Sequence, residues 1–385
     1  MASYALNESN YIDVITGVSE VKSTNTSTLF QKITTMLYGA FQQSIFSLGK
    51  IQIKFNLFTE LAGVLLVVAV ISFASYFVLE EILLIGTMVA LLSLSGSIGP
   101  SLTNIALFNI QFQEARVAFD RMEEFSGIEG EQAEGKEIEQ LAKIDIKSLK
   151  FHYPGSLDLL KDISIEISKG KITTLLGESG SGKSTLLQLL QKFYEPGAGD
   201  ILFDDQSIRA ISLTNLRSKM AVMPQEIKIF NSYLLFNIAL SENPQVLEKV
   251  ADWCKAMGFH QFFEKFPQGY STLLGEEGTN ISGGQKQLVG LARALYKNPQ
   301  VLLIDEGTAA MDRETEQFVL NLLRKISSEK IVFIITHRIK VASLSDTIYM
   351  LKDGVIEDHG TPKDLLARDN FYSSGVRDLV EMVEN

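Results

Sequence analysis

The nine residues GESGSGKST, from Gly177 to Thr185, constrain the fold more than any other stretch of this sequence. They fit the pattern G-x-x-x-x-G-K-[ST] and lie between an apolar run, KITTLLG, and a helix-forming run, STLLQLLQKF. Glycines allow the backbone to curve tightly, so that successive N–H groups point inward at phosphate oxygens. A loop of this kind needs a strand before it and a helix after it. The motif therefore predicts an α/β domain with a phosphate site at this turn.

The side chains of the loop add charge and a metal ligand. Lys183 can neutralise the β- and γ-phosphates of a nucleotide, and the Ser184 hydroxyl can ligate Mg²⁺. The positive end of the helix that starts near Gly182 adds to the attraction. We therefore expect the nucleotide to contact the whole loop: Gly177, Glu178, Ser179, Gly180, Ser181, Gly182, Lys183, Ser184 and Thr185.

The stretch VLLIDE, Val301 to Glu306, is an apolar strand that ends in two acids. The carboxyl end of a strand in an open α/β sheet faces the ligand crevice. Asp305 would hold Mg²⁺ there, and Glu306 would polarise an attacking water. A strand that simply ends in solvated acids is the alternative, which the glycine loop earlier in the chain makes the weaker explanation.

Short β-rich runs alternate with helical runs from Ile144 onward, which predicts an α/β domain over 144–385 with a largely parallel sheet. No convincing strand occurs between Leu235 and Leu295, so a helical subdomain is expected at about 228–297. Residues 126–143 are acidic and contain three glycines, a composition typical of a linker.

The N-terminal third, residues 1–125, holds the strongest hydrophobicity. From Leu61 to Leu79 there are 19 residues without a charge. Such a helix spans ~28 Å, close to the ~30 Å hydrocarbon core of a bilayer. Glu80 and Glu81 interrupt, and residues 82–113 again carry no charge. We expect two membrane-spanning helices, at about 58–79 and 82–104, with buried core helices as the alternative; residues 10–57 are expected to form one long helix entering the first span.

The distribution of charge bears on location and partners. Basic residues flank the two expected spans but are missing from the turn between them: Lys22, Lys32, Lys50, Lys54, Arg116 and Arg121. By the positive-inside rule, both ends are expected in the cytoplasm and the chain in the cell membrane as a multi-pass protein. A net charge of −11 argues against a nucleic-acid partner. The single cysteine, Cys254, excludes a disulfide framework and suits a reducing compartment.

In their order and spacing, these motifs resemble those of the ATP-binding-cassette (ABC) ATPases, over roughly residues 144–370. The resemblance implies roles for four further residues. Gln225 in VMPQE resembles the Q-loop glutamine, which senses Mg²⁺ and contacts the membrane domain. His337 in ITHR resembles the switch histidine near the γ-phosphate. Asp312 in AAMD resembles the D-loop aspartate, and Tyr153 in FHYPG resembles the aromatic residue that stacks on adenine.

The stretch ISGGQ, residues 281–285, resembles the signature motif of the same family, with isoleucine where leucine is more common. In that family two nucleotide domains pair head to tail, and the signature of one closes over ATP in the other. The resemblance therefore implies a second ABC subunit, in a homodimer or a heterodimer. It also implies that four residues act on a neighbour's γ-phosphate: Ser282, Gly283, Gly284 and Gln285. A glycine-rich helix cap without a ligand is the alternative.

The order helix–span–span–ATPase resembles the last third of an ABC exporter. GEEGTNISGGQKQ has the exporter arrangement, and DEGTAAMDRETE is similar to sequences of bacterial peptide and bacteriocin exporters. The resemblance implies ATP and Mg²⁺ as cofactors and hydrolysis coupled to export of a peptide, bacteriocin, lipid or drug. Six helices per half are expected and two are found, which predicts an N-terminally truncated or split exporter whose partner supplies about four helices. A membrane-anchored ABC ATPase without a transport role and a non-functional exporter fragment are the alternatives.

Overall fold

The computed structural model of the chain describes residues 2–127, 131, 134–275 and 278–384. Its contacts divide the chain into two compact units, Met1–Glu129 and Gly130–Asn385. Parts of the linker expected over 126–143, namely 128–130 and 132–133, lie outside the described residues, as do Glu276 and Glu277 of the exporter-like stretch.

The first unit is helical. Its elements are α1 (Ala2–Thr16), α2 (Val18–Ser23), α3 (Ser27–Leu79) and α4 (Ile85–Ser126). The single long helix expected over 10–57 is wrong, because the chain turns twice before α3 begins. Asn25 has a φ of 55°, a left-handed conformation that no helix continues through. The Thr34 hydroxyl on α3 donates to Asn10 Oδ1 on α1 at 2.9 Å, so α1 packs back along α3.

Helix α3 has the properties that a membrane span requires. Among the residues that the structure describes, it is the one helix long and apolar enough to cross a bilayer, and 6% of its apolar stretch is buried. The described apolar part of α4, Ile85–Ile98, is shorter. The side chains at 99–100 and 102–107 lie outside the described residues, so the second expected span stays a prediction.

The second unit is built on a mixed sheet. Its strands run β5–β4–β1–β2–β12–β11–β3–β10–β9–β6 across the sheet, with a separate pair β7–β8. The strands are β1 (Lys143–Phe151), β2 (Leu160–Ser168), β3 (Ile172–Gly177), β4 (Ala198–Phe203), β5 (Gln206–Ser207), β6 (Met220–Met223), β7 (Ser232–Tyr233), β8 (Leu273–Leu274), β9 (Val301–Asp305), β10 (Ile331–Thr336), β11 (Thr347–Lys352) and β12 (Val355–Gly360).

The expected parallel arrangement holds for one half of this sheet. Strands β6, β9, β10, β3 and β11 pair in parallel. Strands β5, β4, β1 and β2 pair antiparallel, as do β11 and β12, so the expectation of a largely parallel sheet is wrong there. Asp353 and Gly354, with φ of 49° and 81°, make the tight turn that reverses the chain between β11 and β12.

Helices cover both faces of the sheet. They are α5 (Lys183–Leu190), α6 (Leu213–Lys219), α7 (Leu234–Ala239), α8 (Pro244–Met257), α9 (His260–Phe263), α10 (Gly283–Tyr296), α11 (Arg313–Ser327), α12 (Ile339–Ala342), α13 (Pro362–Leu366) and α14 (Phe371–Glu384). Helices α7–α10 lie in the stretch expected to be a helical subdomain, where the pair β7–β8 is an addition. Their core includes Phe259, stacked on Trp253 and Phe263. Cys254 is fully buried among them, and burial raises the pKa of its thiol to about 12.

The parallel half of the sheet determines where the functional side chains meet. Strands β6, β9, β10 and β3 are consecutive neighbours and point the same way. Their carboxyl ends lead respectively to Gln225, Glu306, His337 and the 177–185 loop. Since the carboxyl ends of parallel strands share one edge, four segments distant in sequence converge there.

Candidate functional site

The glycine loop has a backbone that other residues would strain. Gly182 has a φ of 99° and caps helix α5 at its N-terminus. A Cβ at Gly177 would lie 2.4 Å from the backbone oxygen of Leu351, which is closer than atoms can approach. The first N–H groups of α5 have no partner within the helix, so they are available to an anion at this turn.

Lys183 is buried at the centre of the loop, with 6% of its surface exposed. Its Nζ donates to Gly177 O at 3.0 Å and to Glu178 O at 2.6 Å. Burial lowers the pKa of Lys183, while the charges of Glu306 and Asp305 oppose that shift. An ammonium group has three donors. In the part of the chain that the structure describes, two are used, which leaves one for a phosphate oxygen.

Two further observations fit a nucleotide with its metal ion. The Ser181 hydroxyl is buried and has no hydrogen-bond partner among the described residues, which is costly unless a ligand oxygen meets it. The Ser184 hydroxyl bonds to the carboxylate of Asp305, which is 8% exposed. Burial raises the pKa of Asp305, and the bond from Ser184 opposes that shift. A hydroxyl and a carboxylate side by side are oxygen ligands of the kind that Mg²⁺ prefers.

Glu306 is the meeting point of the site. Nδ1 of His337 lies 2.6 Å from its Oε1, and Nε2 of Gln225 donates to its Oε2 at 3.2 Å. An ionised carboxylate has about four lone-pair positions, so positions remain for a water molecule. Its backbone has a φ of 50°, unusual for a residue with a side chain, at a cost of about 1–3 kcal/mol. Strain of this kind concentrates at functional sites.

Tyr153 lies against the helix that follows the loop. Its hydroxyl bonds to Thr185 Oγ1 at 3.1 Å and to Gln188 Oε1 at 2.9 Å. Its ring makes edge contacts with Phe151 and Tyr194, at centroid distances of 5.0 and 5.3 Å. The structure therefore brings Tyr153 to the phosphate loop, in an aromatic cluster that fixes the plane of its ring.

Residues 282–285 and Asp312 are not part of the site that the 177–185 loop, Gln225, Glu306 and His337 form. Ser282 caps α10: its hydroxyl accepts from Gln285 N at 3.2 Å, and Gln285 Oε1 accepts from Ser282 N at 2.9 Å. Asp312 caps α11 by accepting from the backbone of Glu314 and Thr315, and these bonds lower its pKa. Within the described ranges, no hydrogen bond joins either cap to the 177–185 loop of the same chain.

Two sets of contacts around Glu306 were not predicted from the sequence. Gln287 on α10 is buried, and its side chain bonds to the backbone on both sides of the turn after Glu306. Arg338 donates to Thr308 O at 2.8 Å and pairs with Glu316 at 2.8 Å. A polar residue within the apolar face of α10 was the available signal for Gln287. The contacts of Arg338 join segments far apart in sequence and left no local signal.

Comparisons with known proteins agree with this geometry. Residues 160–309 match the ABC transporter family. The chain is 30% identical over 372 residues to the cyclolysin secretion/processing ATP-binding protein of Bordetella pertussis, covering 96% of this chain and 52% of that protein. It is 34% identical over 310 residues to the leukotoxin translocation ATP-binding protein of Mannheimia glucosida, covering 79% and 44% respectively. The chain thus spans about half the length of these relatives.

A solved structure extends the likeness to the fold. The structure of a bacterial Atm1-family ABC exporter with ATP bound superposes with a TM-score of 0.87 at 28% sequence identity, over 95% of this chain and 64% of that one. The expected fold class, an α/β P-loop domain preceded by long helices, is confirmed. The chain therefore contains an ABC transporter ATPase domain with exporter-type relatives.

Proposed function

We propose that this chain binds and hydrolyses ATP as a subunit of an ABC-type membrane exporter. The observation that carries the proposal is the meeting of Gln225 and His337 on the two oxygens of Glu306, beside the loop that holds Lys183. This arrangement has a base, its orienting partners and a phosphate cradle at one edge of the sheet, as phosphoryl transfer to water requires.

The protein's part in the reaction is positioning and charge. Lys183, the Ser181 hydroxyl and the first N–H groups of α5 hold the phosphates of ATP. Glu306 accepts a proton from water while the water oxygen bonds to the γ-phosphorus and the bond to the bridging oxygen of ADP breaks. His337 and Gln225 keep the carboxylate oriented toward that water, and His337 also donates toward the γ-phosphate.

Three oxygen-bearing residues would hold the metal ion: Ser184, Asp305 and Gln225. When bound, Mg²⁺ neutralises charge on the β- and γ-phosphates. Burial raises the pKa of Asp305, and a cation beside it favours the ionised form. Tyr153 would stack on the adenine ring, held in plane by its aromatic neighbours.

The half-site around 282–285 would serve a second subunit. The N–H groups of Gly283 and Gly284 lie at the positive end of helix α10. In the cap of this helix the Ser282 hydroxyl is an acceptor, so the hydroxyl proton of Ser282 is free to point at a phosphate. Gln285 keeps that cap in shape, and Asp312 would lie at the same contact between subunits. The partner is a second copy of the chain or another ABC subunit.

The membrane role rests on α3 and on the relatives. Helix α3 is apolar and long enough to span a bilayer, and we place the ATPase unit on the cytoplasmic side because basic residues flank the apolar stretches. Two relatives are named for cyclolysin secretion/processing and for leukotoxin translocation. We therefore propose a polypeptide cargo, moved by closing and opening of paired ATPase units.

The test is Glu306→Gln in the full chain, reconstituted in lipid nanodiscs. We expect ATP turnover to fall about 100- to 1,000-fold, because the variant lacks a general base, while ATP binding persists. With ATP and Mg²⁺, the variant solubilised in detergent should accumulate as a closed pair, which light scattering detects as a doubled protein mass. Turnover at the parental rate would exclude the role of Glu306.

Dilution tests the pairing, and vesicle uptake tests the transport role. If each site needs two subunits, the wild-type rate per molecule falls when nanodiscs hold a single copy. A rate that stays constant in single-copy discs would contradict shared sites. ATP turnover that no polypeptide cargo stimulates in vesicles, together with no uptake, would favour a membrane-anchored ATPase without a transport role.

A further inference from the structure

Gln287 connects the N-terminus of α10, which carries the proposed signature, to the turn that follows Glu306. It lies one turn into α10, just after the glycines of the proposed signature, and 7% of its surface is exposed. Its Nε2 donates to the backbone oxygen of Glu306 at 3.4 Å, and its Oε1 accepts from the backbone N–H of Ala310 at 3.0 Å. One amide therefore spans the turn between Glu306 and Ala310.

Gly283 and Gly284 of α10 lie directly against that same turn. A Cβ added at Gly284 would lie 2.8 Å from Ala310 O, and one at Gly283 would lie 3.1 Å from Ala310 Cβ. The N-terminus of α10 is therefore in direct contact with the segment 306–312, which carries Glu306 at one end and Asp312 at the other. The two hydrogen bonds of the Gln287 side chain stabilise this contact.

The bond to Glu306 matters because of the conformation of Glu306. Its φ of 50° is one that residues with a side chain rarely adopt, so the surrounding structure must hold it. Its backbone N–H is fixed by Ile335 O at 2.9 Å, and its backbone oxygen is the group that Gln287 contacts. Ala309 N also donates to this oxygen, at 3.3 Å. Without Gln287, the peptide after Glu306 loses one of its two hydrogen bonds, and the direction of the carboxylate is less closely fixed.

We propose that Gln287 is a positioning residue: it ties the N-terminus of α10 to the 306–310 turn and so holds the Glu306 carboxylate on the attacking water. The inference rests on the proposed function, in which Glu306 is the base and α10 meets the partner's nucleotide. If so, binding of the partner's nucleotide at the N-terminus of α10 would also affect the direction of the Glu306 carboxylate in the same chain.

The experiment compares Gln287→Leu with wild type in the full chain in nanodiscs. We expect kcat to fall roughly 10- to 100-fold, since a displacement of about 1 Å at a reacting group has an effect of that size. KM for ATP should stay within about twofold. Affinity for a fluorescent ATP analogue in EDTA, measured without turnover, should also stay within about twofold, because the 177–185 loop is untouched.

A matched control separates positioning from general destabilisation. Gln300 also bridges two backbone groups, accepting from Leu141 N at 2.7 Å and donating to Glu139 O at 2.9 Å. It has no contact with the Glu306 turn among the described residues. Gln300→Leu should lower the unfolding temperature by a similar amount and leave kcat within twofold of wild type. Equal losses of kcat in the two variants would overturn the proposal.

Gln287→Glu supplies a readout that a purely structural role would not move. A protonated glutamic acid can donate to Glu306 O and accept from Ala310 N, whereas the ionised form can only accept. The ratio of its kcat to that of wild type should therefore rise as the pH falls from 8 to 6. A ratio that is flat with pH, or a kcat for Gln287→Leu within twofold of wild type, would overturn the inference. If Glu306→Gln retained turnover, the proposed function itself would fail instead.

Discussion

Nδ1 of His337 lies 2.6 Å from Oε1 of Glu306, although the two residues follow different strands of the sheet. Strands β9 and β10 are parallel neighbours, and pairing of Asp305 with Ile335 sets the register that brings the next residues together. A shift of that register by one residue would separate the two side chains. The site therefore depends on strand pairing as much as on the residues themselves.

The first prediction concerns this pair. His337→Ala should lower kcat about 100-fold, because the carboxylate loses one of its two orienting partners, and should weaken ATP binding far less, because the 177–185 loop is unchanged. Residues that act as one unit give losses that do not add. The double variant with Glu306→Gln should therefore be no slower than the slower single variant. Steady-state turnover in nanodiscs measures this, and a double variant whose loss equals the product of the two single losses would contradict the unit.

The second prediction separates the two glycines of α10. Gly284→Ala should lower the free energy of unfolding by about 1–3 kcal/mol, because the new methyl group would press on the backbone oxygen of Ala310. Gly283→Ala meets the Ala310 methyl group at 3.1 Å, a milder overlap that a displacement of a few tenths of an ångström relieves, so its effect should be smaller. Thermal unfolding without nucleotide measures both. A melting temperature for Gly284→Ala that is no lower than that of Gly283→Ala would contradict the prediction.

The third prediction concerns pH and Asp305. Burial raises the pKa of Asp305, so between about pH 4 and its folded pKa the native state binds more protons than the unfolded state. Stability then decreases as the pH rises through that window. Asp305→Asn should therefore melt at a higher temperature than wild type at pH 7 in EDTA, with the difference vanishing near pH 4, and should lose Mg²⁺-dependent turnover.

Asp312 is the matched control for that experiment. Hydrogen bonds from Thr315 lower its pKa, so its ionised form stabilises the fold above about pH 4 and this contribution is lost as the pH falls through its folded pKa. Asp312→Asn should melt at a lower temperature than wild type at pH 7. If both variants shift in the same direction, the assignment of opposite environments is wrong.

The fourth prediction concerns the Ser181 hydroxyl. It is buried without a protein partner among the described residues, so Ser181→Ala should leave the nucleotide-free protein as stable as wild type or more stable. Affinity for ATP should fall about 10-fold through loss of one hydrogen bond to phosphate. Calorimetric titration and thermal unfolding measure the two quantities. An unchanged affinity would mean that the hydroxyl meets no phosphate.

Much of the site could be predicted because its residues occur in local patterns. The glycine loop, the two acids at the end of β9 and His337 each begin at or directly after the last residue of an apolar strand, and the parallel pairing of strands brings them together. The expected roles of Tyr153, Ser282 and Asp312 came from family resemblance.

The features that could not be predicted from the sequence depend on contacts or turns that no local pattern encodes. The contacts of Gln287 with the Glu306 turn cross 19 and 23 residues. The antiparallel half of the sheet depends on turns such as Asp353–Gly354, whose direction a strand pattern does not encode. The break before α3 depends on the left-handed Asn25, because the apolar periodicity continues on both sides of it.

The buried thiol of Cys254 has a practical consequence. It is the single cysteine of the chain, and with a pKa of about 12 it stays protonated and unreactive toward maleimides at neutral pH while the fold is intact. The natural sequence can thus serve as a silent background for site-directed labelling. New cysteines at Ser179, which is exposed, and at Lys286, which is half-buried, can report the head-to-tail distance between two copies by cross-linking or spin-label spectroscopy.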